Sequence, residues 1–291
     1  MNAPVRIRWR LLLLAALLCA SAVIHSIYLS TYHLQTSYYT IASHKLTAPV
    51  RLVLLSDLHN SSFGADNQQL LTAVRAESPD LILMTGDMLN SHQRDTTLLT
   101  DLIRQLSQTA PVYCSYGNHE MEHETLWDTD LSALSKQAGA TMLNFDFLDL
   151  ELKGQHLRMG GIYALCLPEK FLKTGDARQE ECDFLNRFQN TDRCTLLLCH
   201  MPVGWLIHDG LDDWNVDLVL SGHAHGGQIR LPLLGGLHAP DQGWFPGRMC
   251  GIYSSKDNLH SLVLSRGLGS SSKIPRFNNL PEIVVIDLLP Q

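Results

Sequence analysis

Five short apolar runs that each stop abruptly in a polar turn constrain this chain more than any other feature of it. Residues 51–55 end at Ser56-Asp57-Leu58-His59, 81–84 at Thr85-Gly86-Asp87, and 112–115 at Gly117-Asn118-His119-Glu120. Residues 195–199 end at His200-Met201-Pro202, and 216–220 at Ser221-Gly222-His223-Ala224-His225. Between the first three lie segments 66–77 and 96–107, with leucines at helical spacing and a polar opposite face. Strand, polar tip and helix in repetition is the signature of βαβ units, so an α/β fold with a mostly parallel sheet is expected. In such sheets functional groups collect at the carboxyl ends of the strands, and every tip here carries an Asp, His or Asn.

The remaining chain reads as a helix over 127–138 stopped at Gly139-Ala140, then three short strands over 141–163 with a turn at Lys153-Gly154. Residues 168–190 are charged and turn-rich, then helical. Strands are expected over 259–264 and 282–288, with a glycine-rich turn at 266–269 between them.

At 291 residues, 45% hydrophobic and 18% charged, the chain is long enough for one globular domain plus an extra segment. A net charge of −7 argues against a nucleic-acid binder, which needs a basic face to neutralise phosphates. The seven cysteines form no C-x-x-C pair, so neither a zinc knuckle nor a thioredoxin-like redox motif is indicated, and buried free thiols are expected. Fourteen histidines favour a metal site.

The extra segment is N-terminal. Arg6, Arg8 and Arg10 precede an apolar stretch over 11–29, long enough to span a bilayer as a helix. A cleaved secretory signal is the alternative, because Ala20-Ser21-Ala22 fits its cleavage pattern. A retained anchor is expected, since apolar character continues through Val23, Ile24 and Ile27. Positive residues flank only the N-terminal side, which puts Met1 in the cytoplasm and the rest of the chain across the membrane. The expected organisation is a basic N-terminus at 1–10, an anchor at 11–29, a polar connector at 30–49 and a folded domain at 50–288. Tyr28, Tyr32, Tyr38 and Tyr39 are placed as interfacial anchors.

Together the five tips supply Asp57, His59, Asp87, Asn118, His119, His200, His223 and His225. Carboxylate, amide oxygen and imidazole hold hard or borderline divalent cations, and one carboxylate must bridge two ions about 4 Å apart. Such a pair lowers the pKa of a bound water and clamps the attacking and leaving oxygens of a displacement at phosphorus. In this order, the motifs D-x-H, G-D, G-N-H-E, an isolated His and G-H-x-H resemble those of the calcineurin-like metallophosphoesterase family. Gly226-Gly227-Gln228-Ile229-Arg230-Leu231-Pro232, Ser265-Arg266-Gly267-Leu268-Gly269 and residues 275–282 are similar to the bacterial branch of membrane-associated phosphodiesterases typified by YkuE and YaeI.

The resemblance implies a four-layer α/β/β/α sandwich behind the transmembrane helix. It implies that Asp57, His59 and His225 hold one ion, and Asn118, His200 and His223 the other, with Asp87 bridging. His119 becomes an acid beside them, with a purely orienting role as its alternative. Arg266 is a candidate for binding phosphate, against a structural salt bridge. Met88-Leu89-Asn90 and the carboxylate-free Gly160-Gly161-Ile162-Tyr163 depart from the branch's pattern without touching a ligand.

The implied activity is that of a membrane-anchored hydrolase with two divalent ions (Mn, Fe, Zn or similar) and a metal-bridging hydroxide as nucleophile. Its substrate would be a phosphodiester or pyrophosphate linkage of a lipid or envelope precursor, at a bacterial inner membrane with the catalytic domain outside. A phosphodiesterase or phosphomonoesterase for small soluble substrates is the alternative. A catalytically silent scaffold is disfavoured by the intact ligand set. No nucleic-acid or protein partner is indicated.

Overall fold

The computed structural model describes residues 3–291; Met1 and Asn2 of the expected basic terminus lie outside the described residues. A long helix α1 (Ala3–Tyr32) comes first, followed by β1 (Gln35–Ser43) and β2 (Val50–Leu55). Next come α2 (Gln68–Ala76), β3 (Leu81–Met84), α3 (Thr97–Leu106), β4 (Val112–Ser115), α4 (Asn118–Trp127), α5 (Leu131–Ala138) and β5 (Ala140–Leu143). The second half holds β6 (Asp146–Leu152), β7 (Gln155–Ile162), α6 (Gln179–Gln189), β8 (Cys194–Cys199), α7 (Val203–Leu206), α8 (Gly210–Asp213) and β9 (Leu218–Ser221). Four two-residue strands follow: β10 (Arg230–Leu231), β11 (Gly235–Gly236), β12 (His238–Ala239) and β13 (Gly243–Trp244). They precede β14 (Gly251–Ser254), β15 (Ser261–Leu264) and β16 (Glu282–Pro290).

Two six-stranded sheets form, ordered β1-β16-β2-β3-β4-β5 and β14-β15-β9-β8-β7-β6. The strands bearing the predicted tips run parallel to their neighbours β3, β4, β8 and β9 as expected. Because side chains alternate faces along a strand, each buried strand serves two cores. Leu52 and Leu54 of β2 meet Leu196 and Leu198 of β8 in the cluster between the sheets. Val53 and Leu55 instead pack outward with Leu70, Leu71 and Leu102 of α2 and α3. Leu197 and Val219 pack outward on the other side with Phe184 and Phe188 of α6. Three apolar layers between two sheets and two helical faces give the four-layer α/β/β/α sandwich, and burial on both faces explains why these strands read as continuous apolar runs.

Two expectations are corrected. Residues 35–43, read as part of a polar connector, form β1, which pairs in parallel along β16 from Gln35↔Glu282 to Ser43↔Pro290. As an edge strand, β1 needs only one apolar stripe, and its partner lies at the far end of the chain. The helix expected over 127–138 is two helices. Asp128 adopts a left-handed φ of 49° that ends α4, and the Asp130 carboxylate accepts the Ala133 amide to start α5. Among the described residues all seven cysteines are free, five of them buried.

Candidate metal centre

The tips of β2, β3, β4, β8 and β9 converge at one edge of the sandwich. Their approach is close enough to demand glycine at two places. A Cβ on Gly222 would lie 1.9 Å from Ser56 Oγ, and one on Gly86, at a φ of 87°, would lie 2.3 Å from the Gly117 nitrogen. Asp57, His59, Asp87, His223 and His225 all adopt left-handed backbone conformations, with φ between 46° and 70°. Such conformations cost about 1 kcal/mol or more each and persist where the surroundings overdetermine them, commonly at functional sites.

All seven side chains expected to bind metal lie at this edge. His59 Nε2 is 3.3 Å from His225 Nε2, which in turn is 3.5 Å from Asp57 Oδ1. On the other side, His200 Nε2 is 3.3 Å from His223 Nδ1 and 3.2 Å from Asp87 Oδ2. The same Asp87 oxygen is 3.7 Å from His59 Nε2, so one carboxylate faces both halves. Potential donor atoms of Asp57, His59 and His225 lie within 4.8 Å of one another, as do those of Asp87, His200 and His223. Asn118 lines the adjoining cavity, and its buried Oδ1 has no hydrogen-bond partner.

The proton inventory favours a cation. His200 Nδ1 lies 2.7 Å from the Thr85 carbonyl, which can only accept, so Nδ1 carries the proton and neutral His200 offers a lone pair at Nε2. His223 Nε2 lies 2.9 Å from Asp241 Oδ2, which fixes the lone pair of His223 on Nδ1. Two lone pairs and the Asp87 carboxylate then converge without a proton among them, the electrostatic demand that a divalent ion meets. Without metal the same demand falls on His200: burial lowers its pKa, but Asp87 and Asp57 outweigh that and raise it to about 10. Asp87 sits below the usual carboxylate range, because His200 and His59 outweigh the opposing effect of burial. Burial, reinforced by the neighbouring His225, lowers His59 to about 3; burial and then Arg276 lower His225 to about 3, leaving both imidazoles neutral as ligands must be. The N/O donor set fits divalent ions of borderline to hard character.

The family model described as Calcineurin-like phosphoesterase matches residues 50–227. The chain belongs to the calcineurin-like phosphoesterase family. It is therefore a metal-dependent hydrolase of phosphoric esters, and the resemblance carried by its five motifs holds. "Uncharacterized metallophosphoesterase YkuE" of Bacillus subtilis is 28% identical, over 90% of this chain and 87% of that protein. "Phosphodiesterase YaeI" of Escherichia coli is 26% identical, over 89% and 91% respectively. "Uncharacterized metallophosphoesterase Cj0846" of Campylobacter jejuni is 30% identical over 63% of this chain, which spans about half of that relative's length, 46%.

Several groups that support the phosphoesterase site were not singled out from sequence. The Glu120 carboxylate, fully buried, accepts the amides of Asp87 at 2.6 Å, Met88 at 2.8 Å and Gly117 at 2.8 Å, tying the β3 and β4 tips together. Burial and the nearby Asp87 push this carboxyl up to about 7, against the pull of the Gly117 and Asp87 amides. The Glu is visible in the G-N-H-E motif, but its role depends on a fold that brings two tips into contact. Asp241, behind His223, lies in an irregular stretch with no pattern to mark it.

His119 stands edge-on to His59, with ring centroids 4.6 Å apart. Its Nδ1 accepts the Ser91 amide at 3.1 Å, while the Trp127 indole donates to the Ser91 carbonyl at 2.9 Å. A backbone amide can only donate, so neutral His119 carries its proton on Nε2. Arg266 is not in the cavity wall. It forms an ion pair with buried Glu282 at 2.9 Å, the structural salt bridge that is the alternative to binding phosphate.

The cavity beside the centre encloses about 390 Å³. Asp87, Asn118, His119, His223 and His225 form one wall. Ile229, Leu237, Pro240, Trp244 and Ile274 contribute apolar surface to its lining.

Proposed function

We propose that this phosphoesterase uses two divalent ions to cleave a phosphodiester or pyrophosphate linkage of a lipid or envelope precursor, held at a membrane by α1. The observation that carries the reading is the convergence of imidazole lone pairs and carboxylates on two adjacent positions with Asp87 between them. Asp57, His59 and His225 would hold one ion, and Asn118, His200 and His223 the other, with Asp87 bridging. When bound, such a pair supplies an activated water and neutralises charge developing at phosphorus.

The protein's own groups supply the rest. His119 lines the cavity and, as the neutral Nε2–H tautomer, can donate a hydrogen bond to a phosphoryl oxygen; as the imidazolium it can give a proton to the leaving oxygen and return to the neutral ring. The apolar lining residues beside the polar ones suit an amphiphilic substrate better than a wholly polar one. The helix Ile7–Tyr32 is long and apolar enough to cross a bilayer and has no protein packed over its apolar window. That favours a retained span, with the arginines at its N-terminal end in the cytoplasm and the catalytic domain outside.

Hydrolysis of bis-p-nitrophenyl phosphate by the full-length protein in detergent with added Mn²⁺ tests the reaction. Turnover is expected; none with any divalent ion overturns the assignment. Protease protection of a C-terminal tag tests the topology: digestion only from the outer face supports it, and digestion from the cytoplasmic side overturns it.

A further inference from the structure

The end of α1 is joined to the catalytic cavity. Ser26 Oγ accepts the Asn278 amide and Ser30 Oγ the Asn279 amide, both at 3.0 Å. Asn279 Nδ2 then donates to the His225 carbonyl at 2.7 Å and to the Gln228 carbonyl at 3.2 Å. Both recipients line the cavity. His33 and Leu34 alone separate α1 from β1, leaving no slack to lift the domain away from the helix.

The helix also sets a depth. From Leu11, just after the arginines, to Leu29 it rises roughly 27 Å, close to the hydrocarbon thickness of about 30 Å, so its last turns reach the headgroup layer. Tyr28 and Tyr32, exposed and with ring centroids 5.2 Å apart, mark that level as interfacial aromatics do. Ser26, the partner of Asn278, lies on the membrane side of both. The loop next to the cavity therefore sits at the bilayer surface.

The rim of that cavity is apolar and uncovered. Trp244 and Ile274 line the cavity and remain exposed. Leu233 and Leu234 are exposed at the tip joining β10 to β11, and Phe245 is exposed just after β13. These large apolar side chains lie on two hairpins joined through Leu237, which lines the cavity and whose carbonyl accepts the Phe245 amide at 2.8 Å, unlike the scattered exposure common on soluble surfaces.

We propose that Leu233, Leu234, Trp244, Phe245 and Ile274 dip into the bilayer beside α1, and that the cavity receives a lipid phosphoester directly from the membrane, its acyl chains lying along this rim. The proposal rests on the hydrolase and anchor readings above and names the physical state of their substrate. The occupant of the apolar rim is the lipid layer, because the helix hydrogen-bonded to the adjoining loop must itself be surrounded by lipid.

Two p-nitrophenyl phosphodiesters that differ only in their second ester test it: hexadecyl p-nitrophenyl phosphate in phosphatidylcholine vesicles, and methyl p-nitrophenyl phosphate in solution. The full-length protein is reconstituted into the same vesicles with Mn²⁺. Replacing Leu233 and Leu234 together by Ser should lower the rate on the hexadecyl ester by about tenfold, while the methyl ester is hydrolysed as before. Neither leucine lines the cavity. The double replacement by Met should restore the hexadecyl rate. Equal losses on both esters, or no loss on the hexadecyl ester, overturn the proposal. Failure of the wild type on both esters overturns the hydrolase reading itself, and this proposal with it.

A second readout needs no turnover. The Trp244 fluorescence, taken as the difference between wild type and Trp244→Phe, should be quenched by brominated phosphatidylcholine; an unquenched signal contradicts insertion of the rim.

Discussion

Replacing Asp241 by Asn tests the division of the centre into two halves without touching a proposed ligand. The Asp241 carboxylate accepts from His223 Nε2 at 2.9 Å, fixing the tautomer that leaves Nδ1 free to face His200 Nε2. Asparagine preserves the size and one acceptor oxygen but removes the charge that makes Nδ1 a better donor. Asp241 is 44% exposed at its side chain, so its attraction acts in a medium close to water. There, a charge pair this close is worth about 1.4 kcal/mol, or roughly tenfold in affinity, the lower end of what outer partners of metal-binding imidazoles contribute. The assay is a titration of the apo protein with Mn²⁺ by calorimetry, resolving two classes of site. The class containing His223 should weaken by about tenfold while the class containing His225 stays within about twofold of wild type. Equal weakening of both classes, or of neither, refutes the reasoning that His223 and His225 serve different ions.

Three further substitutions address separate parts of the site. Asp87→Ala removes a carboxylate oxygen that lies within 4 Å of both His59 and His200, and should abolish both ions and nearly all hydrolysis; metal analysis that still finds two ions rejects the bridging role. His119→Ala should retain both ions while kcat falls by about a hundredfold or more, and an unchanged kcat excludes proton donation by this residue. Glu120→Ala leaves three buried amides without their acceptor, which should destabilise the fold by on the order of 3 kcal/mol or more, seen as a melting temperature lower by several degrees. Glu120→Gln, which keeps one accepting oxygen, should lose less, and equal melting temperatures for all three proteins would contradict the tying role.

The sequence exposed the centre because its residues sit where a buried strand meets solvent. Val53, Leu55 and their counterparts pack against helices while Leu52 and Leu54 pack between the sheets, so from Leu52 on the strand has no polar position until it ends and the chain leaves the sheet at Ser56-Asp57. A run buried on both faces thus announces its own end, and the functional groups lie at that end. Other parts lack such a marker. β1 alternates half-buried and exposed positions, and its parallel pairing with β16 joins residues some 250 apart in the chain, which no local pattern encodes. The break between α4 and α5 depends on the single left-handed residue Asp128. The Arg266 side chain could satisfy either a phosphate or Glu282 by composition; only the packing of β16 beside the 265–267 turn decides for the carboxylate. Asp241 lies beyond every periodic segment, so its contact with His223 is a product of tertiary structure alone.

The spacing of the two ions is the central claim, and electron paramagnetic resonance of the Mn²⁺-loaded full-length protein tests it most directly. Two ions about 4 Å apart across one carboxylate are exchange-coupled, so the spectrum of a coupled pair is expected, and it should collapse in Asp87→Ala. A spectrum of magnetically isolated Mn²⁺ at two equivalents per chain would contradict it.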